Sequence, residues 1–217
     1  MLRMIIGSTG SGKTTLWNNL RARDDTRKWW FASNYTTRPR RENEIPDGKI
    51  YEGNVFLTPK EFWDMWNNDK IRAYREVPYI DIGGIPVAVF FGTPSFYVKI
   101  GLQYFTNHVV LDTSAALATD ILRKLDDNML NRVHIIELAA KDKDIINRRL
   151  TTRHIEPAEH ARRLKYDEDS IKELWGVLAP KGNHDWTWSI LPIDCRTPEE
   201  LCDTAYDAIK SQEYSTP

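Results

Sequence analysis

Cysteine is scarce: Cys195 and Cys202 are the two thiols in 217 residues. Two such residues cannot frame a disulfide scaffold or a four-ligand zinc site, so a reducing, cytoplasmic setting is expected. The five histidines are scattered, and no pair sits at the helical spacing that suggests zinc. No apolar run approaches the ~18 residues that a membrane helix needs. Met1-Leu2-Arg3 leads straight into a β-prone stretch, so no signal peptide is expected. Excess charge is missing as well. Thirty Lys and Arg stand against 31 Asp and Glu, a formal charge of -1, which argues against a general nucleic-acid or anionic-membrane binder. Internal repeats, low-complexity segments and linkers are also lacking. The length suits one α/β domain with insertions and a sizeable core.

What is present begins at Gly7-Ser8-Thr9-Gly10-Ser11-Gly12-Lys13-Thr14, with Thr15 following. These residues fit the G-x-x-x-x-G-K-[ST] phosphate loop. Leu2 to Ile6 before them is apolar and strand-like, and Leu16 and Leu20 after them fall at helical spacing, so strand, loop and helix follow in the order the motif needs. Successive amides at a helix N-terminus offer many donors to a di- or triphosphate, with a favourable dipole. The glycines let the backbone turn and approach the oxygens. Lys13 would meet the β- and γ-phosphates, and the Thr14 hydroxyl could complete the shell of a Mg²⁺ ion.

Downstream, Trp29 to Ala32 reads as a second strand, followed by Arg38, Arg40 and Arg41 around Pro39. Such a compact cationic fork suits bidentate phosphate recognition, or it is a solvated loop. Thr58-Pro59-Lys60-Glu61 is a capping box opening a helix with Phe62, Met65 and Trp66 on its core stripe. Ile71 to Val77 reads as a strand and Tyr79 to Phe91 as a hairpin turning at Gly83-Gly84, with Gly92-Thr93-Pro94 breaking the pattern. Val109 to Asp112 is an apolar strand ending in a carboxylate, which either orients a metal or caps the next helix. That helix should run from about Ser114 to Leu125 with Leu117, Ile121, Leu122 and Leu125 inward. Val133 to Leu138 is a further strand. Residues 144–164 hold a second basic concentration: Arg149 and Arg153 share a face if the helix is continuous, and Arg162 and Arg163 follow Pro157. Two such helices would form a closing lid, or an ordinary solvated helical hairpin. Trp188 to Leu191 suggests a last strand, and Thr197 caps a final helix.

The order of four blocks resembles the guanylate kinase family of nucleoside monophosphate kinases. They are Gly7 to Thr15; Thr36-Thr37-Arg38-Pro39-Arg40; Gly92-Thr93; and Arg148 to Arg153 continuing to Arg162-Arg163-Leu164. The resemblance covers most of residues 4–165. It implies a three-layer α/β/α P-loop core with a parallel sheet (1–32, 96–143 and 165–217), an inserted mixed β/α acceptor-binding subdomain (33–95) and a helical lid (144–164). By the same resemblance Arg38 and Arg40, or Arg41, hold the acceptor phosphate together with the Tyr51 hydroxyl, and Glu44 matches an acid of the family's acceptor-binding region. Arg149, Arg153 and Arg163 reach across the transferring group, and Asp112 lies near the metal.

The departures fall on the base. The family's guanine-reading glutamate position is occupied by Ala73, a second acid's position by Ser114, its serine by Asn34 and the second of two tyrosines by Phe91; Thr93 keeps a hydroxyl. Glu76 would replace the missing acid only if the hairpin shifted register. The expected activity is therefore ATP- and Mg²⁺-dependent phosphorylation of a nucleoside or deoxynucleoside monophosphate, GMP or dGMP by family default. A pyrimidine or modified deoxynucleotide, or a non-catalytic interaction module of the same fold, is the alternative. The expected partners are nucleotides, with no nucleic acid and no membrane, and the chain would act as a monomer or homodimer.

Overall fold

The computed structural model describes residues 1–23, 29–40, 54–80, 86–103, 108–140, 143–151, 157–179, 187–193 and 197–213. β1 (Leu2–Gly7) is buried along its whole length. Leu2, Met4 and Ile6 enter one apolar cluster and Ile5 the other, because successive side chains of a strand point to opposite faces. β1 lies at the centre of a five-stranded parallel sheet with β2 (Trp29–Ala32), β7 (His108–Asp112), β8 (Val133–Ala139) and β9 (Thr187–Pro192), in the order β2-β7-β1-β8-β9. Near-continuous apolar runs such as Val109-Val110-Leu111 belong to strands covered on both faces.

Helices supply both covers. α1 (Lys13–Ala22), α6 (Lys143–Thr151) and α8 (Pro198–Glu213) bring Leu16, Trp17, Leu20, Ile146, Leu150 and Ile209 to the Ile5 side. α3 (Ser95–Gln103), α4 (Ala115–Leu122) and α7 (Pro157–Leu178) bring Val98, Leu117, Ile121, Leu174 and Leu178 to the Met4 side. A short α5 (Asp127–Leu130) precedes β8. Trp175 of α7 stacks on Trp188 of β9 with ring centroids 4.1 Å apart. The three-layer core expected from the sequence is present.

Across Ser33 alone the chain passes from β2 into β3 (Asn34–Thr36) and enters a second sheet. This sheet adds β4 (Asn54–Phe56), β5 (Ile71–Ile80) and β6 (Pro86–Pro94) in the order β4-β3-β6-β5. α2 (Pro59–Asn67) covers one face, where Phe62, Trp63 and Trp66 meet Tyr74, and the first two also meet Phe90. The Thr58 capping box forms as expected, Glu61 N–H donating to Thr58 Oγ1 at 3.2 Å and Thr58 N–H to Glu61 Oε2 at 2.7 Å. Phe62 is fully buried, whereas Met65 and Trp66 are half-buried.

Two sequence expectations change here. Gly92-Thr93-Pro94 does not break the strand, because β6 runs through it. A Cβ on Gly92 would stand 2.9 Å from Ile71 Cγ2 and 3.0 Å from the Phe62 ring, so the glycine serves a close approach. β5 also continues past Val77, with Pro78 opposite Ala88. β5 is an edge strand, where a residue without an N–H is tolerated. The turn expected at Gly83-Gly84 lies outside the described residues.

Candidate active site

The phosphate loop joins β1 to α1 with Gly7, Gly10 and Gly12 at φ 147°, 84° and 96°, all in the region that side chains avoid. Ser11 N–H donates to Ser8 O at 3.0 Å, and Leu16 N–H to Gly12 O at 2.9 Å, which starts the helix. The Lys13 ammonium donates to the carbonyls of Gly7 (2.7 Å) and Ser8 (3.1 Å), so its charge sits within the curve of the loop. Ser8, Thr9, Gly10 and Thr14 are partly accessible, Ser11 is buried and Thr15 is exposed.

Asp112 ends β7 beside this loop. Its carboxylate accepts from Thr14 Oγ1 at 2.8 Å. Burial pushes its carboxyl above the usual carboxylate range, opposed by Lys13 and by the Thr14 hydroxyl. It does not cap the following helix: Ser114 does, its hydroxyl accepting from Leu117 N–H at 3.2 Å. Of the two readings left open for Asp112, capping is thereby excluded. Among the described residues no group of three His, Cys, Asp or Glu side chains is placed to hold a metal ion. A Thr hydroxyl beside one carboxylate nevertheless fits Mg²⁺, which usually takes one or two carboxylates plus water and substrate phosphate oxygens.

Asn34 is 6% and Thr93 0% exposed. The Asn34 amide nitrogen donates to the Asp112 backbone carbonyl, and Thr93 Oγ1 donates to Asn34 Oδ1 at 3.1 Å. Ala73 lies opposite Thr93 in the β5–β6 pair and is buried in the apolar cluster. Phe91 lies opposite Arg75, half-buried against the same cluster. Glu76 cannot take over from Ala73. It pairs with Phe90 in an unshifted register, and strand alternation turns it toward the α2 side with Tyr74. Arg38, 7% exposed, and Arg40 converge on one ring, with guanidinium carbons 4.9 and 4.6 Å from the Phe56 centroid. Arg41, Glu44, Tyr51 and Arg153 lie outside the described residues.

On the side of α6 and α7, Arg149 donates to the carbonyls of Gly10 and Ser11, both at 3.3 Å, so α6 rests against the phosphate loop. Arg163 donates to Glu159 at 2.6 Å, and Arg162 grips the same carboxylate at 2.7 and 2.8 Å. Glu159 is buried, and hydrogen bonding from Arg162, with that from Arg163, holds its carboxyl below the usual range.

Sequence reasoning missed two contributors. Asp167 of α7 accepts from Thr9 N–H at 2.6 Å and so ties this helix to the phosphate loop. Its signal was its spacing, four residues beyond Arg163 on the same helical face. Arg75 makes a two-point contact with Asp120 of α4, at 2.6 and 2.8 Å, and approaches Glu173 of α7 at 3.6 Å. Nothing local marks that pair, which joins residues far apart in sequence.

No family profile matches the chain. The guanylate kinases of Bacillus cereus and Bacillus anthracis are 33% identical to it over 103 residues, 48% of this chain and 43% of theirs. The chain thus spans less than half the length of the curated relatives it matches. Guanylate kinase from Anaplasma phagocytophilum shares the fold at a TM-score of 0.61 and 16% identity, over 99% of this chain and 87% of that one. The YorR protein of Bacillus subtilis, solved in complex with phosphorylated GDP, aligns over the whole of both chains at a TM-score of 0.50 and 12% identity. The chain thus shares its two-sheet fold with a guanylate kinase and, across the matched half, is similar in sequence to guanylate kinases.

Proposed function

We propose that the protein transfers the γ-phosphoryl group of ATP to a nucleoside or deoxynucleoside monophosphate. One observation carries this reading: the Thr14–Asp112 pair beside Lys13 is joined, through Asn34, to the sheet that bears Arg38 and Arg40. A donor-phosphate loop and a cationic acceptor face thus abut at one residue. The guanylate kinases among its relatives support the choice of reaction.

Phosphoryl transfer needs positioning and charge stabilisation more than covalent participation by the protein. The loop amides and Lys13 hold the donor. Arg38, Arg40 or Arg41, and Tyr51 hold the acceptor phosphate in line. Arg149, Arg153 and Arg163 neutralise developing charge and help to exclude water. To do so Arg163 exchanges Glu159 for the phosphoryl oxygens. Thr14, with Asp112 through water, would hold a Mg²⁺ ion, which would supply charge neutralisation to the phosphates.

GMP or dGMP is the first acceptor to test. By the resemblance alone, Ala73, Phe91, Thr93, Asn34 and Ser114 stand at the positions that surround the base. Another base, a pyrimidine or a modified one, is favoured by the apolar burial of Ala73 where the family places an acid. An assay of ADP release across the common nucleoside and deoxynucleoside monophosphates separates the two. Turnover with GMP or dGMP well above the rest supports the first, and a clear pyrimidine preference supports the second. No turnover with any acceptor, together with no ATP binding by calorimetry, would leave a non-catalytic interaction module.

A further inference from the structure

The resemblance assigns Asn34 and Thr93 to the acceptor base, yet the structure occupies both side chains elsewhere. The Asp112 backbone carbonyl can only accept, so the amide nitrogen of Asn34 must face it and the amide oxygen must face Thr93. These contacts form a continuous path: Thr93 on β6 donates to Asn34 on β3, Asn34 donates to the main chain of Asp112 at the end of β7, and the Asp112 carboxylate receives Thr14 from α1. Asp112 is therefore held through its backbone by the acceptor sheet and through its side chain by the donor helix. Asn34 is also the first residue after the Ser33 crossing between the sheets, on the side of Asp112 opposite the β1 pairing that holds Ile5 across from it.

We propose that Asn34 and Thr93 are positioning residues that keep the Asp112 carboxylate against Thr14, and that they do not discriminate among acceptor bases. The proposal rests on the phosphoryl-transfer reading above. It deepens that reading by moving these two residues from the base to the metal side of the donor site.

The experiment compares Asn34→Ala, Thr93→Val and Thr93→Ser with the wild type in two measurements. The first is calorimetric affinity for a non-hydrolysable ATP analogue with Mg²⁺ and with EDTA, which needs no turnover. The second is kcat and KM across the acceptor panel. The expected result is that Asn34→Ala and Thr93→Val lose about tenfold of the Mg²⁺-dependent gain in affinity. Their kcat should fall by about tenfold or more with every acceptor, while relative base preference stays within about twofold. Thr93→Ser, which keeps the hydroxyl, recovers both. A change of about tenfold or more in base preference, or an unchanged Mg²⁺-dependent affinity, overturns the proposal. If Asn34→Ala does not fold, the Thr93 pair decides on the same criteria. If the wild type phosphorylates no nucleotide, the functional reading fails while the affinity ratio still judges the positioning role.

Discussion

A methyl group at Gly7 would stand 2.7 Å from the Leu138 carbonyl oxygen and 2.8 Å from Ser11 Oγ, on a backbone at φ 147°. Gly7→Ala should therefore cost about 2 kcal/mol or more and lower the melting temperature by several degrees, and an unchanged melting curve would contradict this loop geometry. At Lys13 and Arg149 the effect belongs to turnover. Replacement of either by Ala should reduce kcat by ~10³-fold or more, and turnover within a few-fold of wild type would refute the assigned roles. His134 carries a prediction about pH. It is fully buried with Ser189 Oγ 2.9 Å from its Nε2, and burial, with Arg3 nearby, lowers its pKa to about 3 from 6.5. The folded chain thus binds this proton less readily than the unfolded one. His134 leaves stability unaffected above pH 6.5 and erodes it as pH falls from 6.5 toward 3. Urea titrations at stepped pH should show that loss, and His134→Gln should flatten it.

At the scale of elements, helix starts and core stripes were legible because they depend on near neighbours. Thr58 and Thr197 both form the boxes their spacing implied, Thr197 N–H donating to Glu200 Oε2 at 2.8 Å. Leu117, Ile121, Leu122 and Leu125 are buried as their periodicity required. The donor loop was legible for the same reason, since motif, strand and helix are contiguous. The course of β5 and β6 through Pro78 and Gly92 was not. Strand neighbours, unlike helical ones, are chosen across the fold, and they decide whether such residues interrupt or continue. The junction of β5, α4 and α7 was hidden likewise. There Arg75, Asp120, Glu173 and Arg123 form an alternating-charge cluster, Arg123 meeting Glu173 at 2.8 Å. Its members are partly exposed, so solvent screens it and Asp120→Asn should cost only about 1 kcal/mol. That cost should shrink in molar salt, where the Debye length falls to about 3 Å. A penalty independent of salt would mean that packing dominates.

Over the whole molecule, the second sheet is fastened to the parallel sheet with its two helical covers at Ser33 and at the end of β7. The proposed reaction class rests on charged motifs that are legible in sequence. The base is not, because Ala73 and Phe91 depart from the resembled pattern where that pattern reads it. The stacked indoles of Trp175 and Trp188 give this architecture a built-in optical gauge. One belongs to the helix that carries Arg162 and Arg163, the other to the outermost strand of the core sheet. Two rings so close couple their electronic transitions, and the coupling depends steeply on separation and tilt. A slide of α7 on nucleotide binding would therefore alter the ultraviolet circular-dichroism couplet of the unlabelled protein, reporting motion of the arginine arm in real time.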